Sequence, residues 1–152
     1  VISGRNPHYL IGEQVLAAPI VKDLGIETIP TGYILLDGGA GSTVEFISGT
    51  RPLPMHRKDI AVAHALAGQF LGMKFIYLEA GSGAKEPVPT SLIKAVNNAI
   101  NIPIIVGGGI NSPDLARAAV NAGASIIVTG TILEDNPDYV KQFANAIHIK
   151  SK

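Results

Sequence analysis

Ile102-Pro103-Ile104-Ile105-Val106-Gly107-Gly108-Gly109-Ile110-Asn111-Ser112-Pro113 is the stretch that decides the fold. Residues 102–106 are apolar and mostly β-branched, with no polar alternation, the pattern of a buried strand covered on both faces. Three glycines end it at once. Ser112 is then placed to cap a helix that has Pro113 at its first position, the arrangement helix starts favour, and that helix reaches about Ala122. Strand, glycine loop and helix in this order make the repeating unit of a parallel α/β sheet with right-handed crossovers.

The unit recurs on either side. Towards the C-terminus, Ser125 to Val128 reads as a strand ending in Thr129-Gly130-Thr131, followed by a helix over about Pro137 to Ile147 and a frayed polar tail, Lys150-Ser151-Lys152. Upstream, Phe75 to Glu79 is a strand, Ala80 to Pro89 a loop, and Thr90 or Ser91 caps a helix ending near Ile100. An alanine-rich helix spans Lys58 to Leu71, closed by Gly72. Ile26 to Leu36 is an extended stretch that Pro30 and Gly32 make bent or irregular. Asp37 to Ser42 is a glycine-rich turn, and Thr43 to Pro54 is ambiguous between a short strand and a short helix before a loop. At the start, Val1 to Ser3 reads as the end of a strand. Asn6 caps a helix with Pro7 at its first position; Leu10, Ile11, Val15, Ala18, Val21 and Leu24 recur at helical spacing, Pro19 kinks it and Gly25 stops it.

The 152 residues are 47% apolar and carry twelve basic against twelve acidic side chains, so a core can form and no basic footprint for nucleic acid exists. There is no cysteine, which rules out disulfides and thiolate metal sites and fits a cytoplasmic location. No apolar run approaches the ~18 residues of a membrane span. The four histidines, His8, His56, His64 and His148, are scattered without ligand spacing. The chain opens on Val1, already strand-like, and offers only five or six strand candidates. It is therefore expected to be a single domain over residues 1–152 that lacks the first strands of a closed barrel.

Ligands of parallel α/β folds bind at the carboxyl ends of the strands, and (β/α)8 barrels commonly hold phosphate in the loops after the last two strands. Glycine occupies both such loops here, at Gly107 to Gly109 and at Gly130, where a residue without a Cβ lets backbone N–H groups approach an anion. A tight turn alone also explains such glycines. The spacing does not match the dinucleotide fingerprint G-x-G-x-x-G. A third loop follows the strand Tyr77-Leu78-Glu79. Tyr77 and Glu79, two apart, point to one face, and a carboxylate at this end is costly to desolvate without a role or a partner such as a lysine or arginine. Ser82, between Gly81 and Gly83, adds a hydroxyl.

Tyr77-Leu78-Glu79-Ala80-Gly81-Ser82-Gly83-Ala84, together with Val106 to Ile110 and Thr129-Gly130-Thr131, resembles the geranylgeranylglyceryl phosphate synthases and their heptaprenyl relatives. Ser3-Gly4-Arg5-Asn6-Pro7, Ile29-Pro30-Thr31-Gly32-Tyr33 and Leu53-Pro54 look like the same family, and Ala80-Gly81-Ser82-Gly83 is similar to its archaeal-type branch. The resemblance implies the C-terminal part of a TIM (β/α)8 barrel of about 250 residues with parallel strands. It implies a magnesium-dependent transferase of lipid biosynthesis that moves a polyprenyl group from its diphosphate to the C3 hydroxyl of sn-glycerol 1-phosphate. By resemblance, Tyr77, Leu78, Glu79, Ala80, Gly81, Ser82 and Gly83 hold the glycerol phosphate, with Tyr77 and Glu79 as catalytic residues, while Gly108, Gly109, Gly130 and Thr131 hold its phosphate. Thr131 departs from the Gly-Asn pair frequent in the family. The magnesium ligands are expected upstream of Val1, so the chain alone is expected to be inactive. The family also implies a homo-oligomer, a dimer or a hexamer. Two alternatives stand beside it: another phosphate-binding barrel enzyme of biosynthesis, and a non-catalytic module that binds a phosphometabolite.

Overall fold

The computed structural model describes residues 1–148; the tail Lys150-Ser151-Lys152 lies outside them. Four strands, β1 (Thr31–Leu35), β2 (Phe75–Glu79), β3 (Ile104–Gly107) and β4 (Ile126–Val128), form one sheet in the order β1-β2-β3-β4. All three pairings are parallel, and consecutive strands are neighbours. This is the α/β arrangement expected from the strand, loop and helix units. The register aligns Tyr33 with Tyr77 and Ile105 with Ile126 in one row, and Leu35 with Glu79, Gly107 and Val128 in the next.

The two faces of the sheet differ. Ile34, Ile76, Leu78, Ile104 and Val106 point to the helical side and are fully buried against Ala61 and Ala65 of α3 (Lys58–Phe70), Leu92, Ile93 and Val96 of α4 (Thr90–Asn97), and Ala116 and Ala119 of α5 (Pro113–Asn121). Each large aliphatic side chain so buried contributes about 1.5–3 kcal/mol. The other face carries Tyr33, Tyr77 and Ile105, half-buried, and Ile126 and Val128, exposed at 42% and 41%. The strands are thus packed by helices on one face, not on both. The sequence hid this because the residues of the open face are as apolar as those of the packed one.

Several local expectations hold. Asn6 Oδ1 accepts the His8 N–H at 3.1 Å, capping a helix that opens with a π turn over His8–Gly12 and continues as α1 (Glu13–Asp23), with Gly25 in the left-handed region after it. Ser112 Oγ accepts the Leu115 N–H at 3.3 Å, the cap of α5. Other expectations need correcting. Four strands exist among the described residues, not five or six. Val1 to Ser3 is a turn, although the Ile2 N–H donates to the Tyr33 carbonyl at 2.9 Å beside β1. Residues 26–30 stay outside β1 because Pro30 lacks an N–H; its carbonyl instead accepts the Lys74 N–H at 2.7 Å. Thr43 to Pro54 resolves into α2 (Thr43–Ser48), capped by Ser42 Oγ on the Glu45 N–H, and a single bridge between Leu36 and Leu53. Neither Thr90 nor Ser91 caps α4: Pro89 precedes its first turn without a side-chain hydrogen bond. The last helix stands where expected, as α7 (Tyr139–Ile147), but a further short helix, α6 (Thr131–Asp135), precedes it. No described helix is long and apolar enough to cross a membrane.

The loop after β1 is locked to the loop after β2. The Gly38 carbonyl accepts the Lys85 N–H at 2.9 Å, and a Cβ at Gly38 would collide with the Ala80 carbonyl oxygen and come within 2.6 Å of the Ala84 Cβ. Since one obstacle is backbone, Gly38→Ala should destabilise the fold by about 1–3 kcal/mol, read as a lower melting temperature by circular dichroism. An unchanged melting temperature would contradict this close approach.

Candidate functional site

The carboxyl ends of all four strands open on one cavity of about 550 Å³, within the range of small-molecule sites. Its walls include Tyr33, Tyr77 and Glu79 from the strands, and Gly81, Ser82 and Gly83 from the loop after β2. Gly108, Gly109, Ile110 and Asn111 come from the loop after β3, and Thr129, Gly130 and Thr131 from the loop after β4. Ser42, Thr43 and Val44 add the start of α2; Ile132, Glu134 and Asp135 add α6.

Glu79 stands at the centre. It is 7% exposed, and its Oε1 accepts the Gly81 N–H at 2.8 Å. The alternative of a salt bridge to a lysine or arginine is not realised: among the described residues the ion pairs are His8 with Glu13 and Arg57 with Asp59. The glycines of the next loop make room for this carboxylate. A Cβ at Gly107 would lie 2.6 Å from the Tyr77 hydroxyl and 2.7 Å from Glu79 Oε2. At Gly108 it would lie 2.7 Å from Glu79 Oε1 and 2.8 Å from the Gly81 backbone, where φ is +83°. Tyr77 and Glu79 therefore share one face, as their spacing requires, and meet over Gly107.

Tyr33 joins them. Its ring packs edge-on against Tyr77, with centroids 5.1 Å apart and planes at 69°. Burial, then the Glu79 charge, raises the Tyr33 phenol above its ordinary pKa of 10.0. Tyr77 is raised as well, first by burial, then by the adjacent Glu79 carboxylate, then by Tyr33.

Of the residues predicted for the site, Tyr77, Glu79, Gly81, Ser82, Gly83, Gly108, Gly109, Gly130 and Thr131 line the cavity. Leu78 and Ala80 do not. Leu78 is one residue out of phase with Tyr77 and Glu79, so its side chain enters the hydrophobic core, and Ala80 is buried there too. Sequence reasoning missed Tyr33, Ser42, Thr43, Glu134 and Asp135. Tyr33 becomes visible only once β1 is registered on β2, whereas Ser42 and Thr43 follow a glycine-rich turn at a strand end and were open to the same argument as Ser82. The walls hold three carboxylates and neither lysine nor arginine. No group of three His, Asp or Glu among the described residues is arranged to hold a metal ion, so these residues do not by themselves fit a magnesium site.

Residues 1–147 match the model of the PcrB family. The geranylgeranylglyceryl phosphate synthase of Spirosoma linguale is 50% identical over 147 residues, 97% of this chain and 59% of the relative. That of Thermococcus kodakarensis is 51% identical over 134 residues, 88% of this chain and 52% of the relative. The chain thus spans little more than half the length of these relatives. Among solved structures, (S)-3-O-geranylgeranylglyceryl phosphate synthase from Thermoplasma acidophilum, in complex with its substrate sn-glycerol-1-phosphate, superimposes with a TM-score of 0.90 at 35% identity. The superposition covers 97% of this chain and 60% of that one. The Thermoplasma volcanium enzyme gives 0.86 at 37% identity, covering 97% and 58%.

Both tyrosine values lie above the ordinary one, so the folded chain keeps protons that an unfolded chain releases. That contribution to stability is whole below about pH 10 and is lost as pH rises beyond it. Ultraviolet difference titration, with Tyr33→Phe and Tyr77→Phe to assign the signals, should find both phenols neutral in the native protein above about pH 10, ionising as it unfolds. Ionisation of both at about pH 10 in the folded protein would contradict the burial described.

Proposed function

The chain belongs to the PcrB family, and from that premise we propose that its cavity is the acceptor half of a prenyltransferase site. The substrate read here is sn-glycerol 1-phosphate, and the donor a geranylgeranyl or similar polyprenyl diphosphate. The observation that carries the reading is the Glu79 carboxylate, held on the Gly81 N–H beside Tyr77 at the mouth of three glycine-bearing loops. A carboxylate tied to one backbone donor, with no cationic side chain among the cavity walls, keeps acceptor capacity for a hydroxyl.

In the proposed reaction the bond between the allylic carbon and the diphosphate breaks, and the diphosphate leaves with the electron pair. The C3 hydroxyl oxygen of the acceptor forms the new ether bond to that carbon, and its proton passes to Glu79 as general base. The hydroxyl must stand about 3–3.5 Å from the carbon for this to occur. The negative charge of Glu79 also favours the allylic cation as it develops. Tyr77, whose phenol stays protonated, orients the glycerol hydroxyls. The acceptor's phosphate is assigned to the backbone N–H groups of Gly108 and Gly109 and of Gly130 and Thr131; with neither lysine nor arginine on the walls, main-chain donors are the means available here. Magnesium, expected from the resemblance, belongs with the diphosphate, and no step above is assigned to it. A homo-oligomer, dimer or hexamer, is part of the same reading; Phe46 of α2 and Phe70 of α3, 89% and 78% exposed, supply apolar surface for it.

The test offers the protein geranylgeranyl diphosphate, magnesium and either sn-glycerol 1-phosphate or its 3-phosphate enantiomer. Mass spectrometry should find an ether product from the 1-phosphate alone. Glu79→Gln should cut turnover by roughly 10²–10⁴-fold, the usual share of a general base, while calorimetric binding of glycerol phosphate changes little. Turnover near wild type in Glu79→Gln would remove the base from this reading, and no product from either enantiomer would remove the reaction.

A further inference from the structure

We infer that Tyr33 is a positioning residue of this site, acting through Tyr77 on the group that faces the acceptor hydroxyl. The inference rests on the prenyl-transfer reading and deepens it. Tyr33 and Tyr77 are paired in the parallel register of β1 and β2, so their side chains leave the sheet on the same side. The Tyr77 ring is bounded on two sides. Towards β3, its hydroxyl and Cε2 lie so close over Gly107 that a Cβ there would come within 2.6 and 3.1 Å of them. Towards β1, the Tyr33 ring meets it edge-on at 5.1 Å.

Those two contacts leave the Tyr77 hydroxyl next to Glu79. The phenol oxygen lies on the axis of the ring torsion, so only χ1, with its three staggered wells, can move it; without the Tyr33 ring filling the neighbouring space, another χ1 well would carry the phenol away from the carboxylate towards the open face. The Tyr33 ring, and not its hydroxyl, supplies the constraint. No hydrogen bond of the Tyr33 hydroxyl is present among the described residues, whereas the ring contact is well formed. Tyr33 itself lines the cavity, so the constraint acts where the substrate sits.

The experiment is a double-mutant cycle in the protein, with steady-state kinetics for sn-glycerol 1-phosphate. Tyr33→Leu should lower kcat on the order of tenfold through misplacement of Tyr77, and Tyr33→Phe should recover most of that loss. In a Tyr77→Phe background, which lacks the hydroxyl to be positioned, Tyr33→Leu should cost less than about twofold more. Tyr33→Met serves the same arm if Tyr33→Leu lowers the melting temperature. Losses that multiply in the double variant, or Tyr33→Phe as damaged as Tyr33→Leu, would overturn the Tyr33 role while leaving prenyl transfer intact. A wild-type protein that forms no ether product would overturn the transfer reading, and the Tyr33 role with it.

Discussion

A single charge-assisted hydrogen bond organises the carboxyl end of this sheet: the Gly81 N–H donates to Glu79 Oε1 at 2.8 Å. A carboxylate that is 7% exposed must be satisfied locally or lose its charge. The chain satisfies it by turning the backbone sharply after Ala80, with Gly81 in the left-handed region, so that the amide two residues on faces back to the carboxylate. The next loop must then give way. Gly107 and Gly108 have no Cβ where one would strike Glu79, and Gly109 passes against Pro87, where a Cβ would lie 2.9 Å from the backbone nitrogen. The triple glycine is therefore required by the protein's own packing before any ligand is considered. It also leaves amides uncovered beside the cavity, which is why one sequence feature supports both a structural and an anion-binding reading.

The electrostatics of the cavity follow from the same construction. Glu79, Glu134 and Asp135 line it, and no lysine or arginine does. An anion in such a cavity is opposed by side chains and favoured by main-chain N–H groups, so its position is tightly restricted to the glycine loops. A developing cation, in contrast, is favoured throughout the mouth. For the proposed transfer this separation is useful: phosphate at one end, cationic carbon beside Glu79, and a neutral Tyr77 phenol between the charges.

Much of the fold was legible because punctuation was strong. The strand at Phe75–Glu79 and the helix from Lys58 are bounded by Gly72 and by the loop glycines, and both stand where the pattern places them. Ser112 and Pro113 mark the start of α5 through cap chemistry that operates locally. Misreadings arose where the deciding interaction is distant or the pattern degenerate. Ile26, Thr28 and Ile29 are β-branched and favour a strand, yet Pro30 denies the ladder a donor. Helix α2 is too short for periodicity to separate it from a strand. The open face of the sheet carries Ile105, Ile126 and Val128, so no polar alternation reveals it. In the site, Tyr77 and Glu79 were found through the two-residue period of a strand, the same period that should have excluded the side chain of Leu78. Tyr33 and Glu134 depend on how distant segments come together, which local sequence does not encode.

The central claim is that one carboxylate and the glycine loops around it form a site for a phosphorylated glycerol. Its most direct test is a crystal structure of the protein soaked with sn-glycerol 1-phosphate at concentrations near its dissociation constant. The account predicts phosphate density on the amides of Gly108, Gly109, Gly130 and Thr131, with a glycerol hydroxyl within hydrogen-bond distance of Glu79. Phosphate density elsewhere, or a glycerol turned away from Glu79 with the loops unchanged, would contradict it.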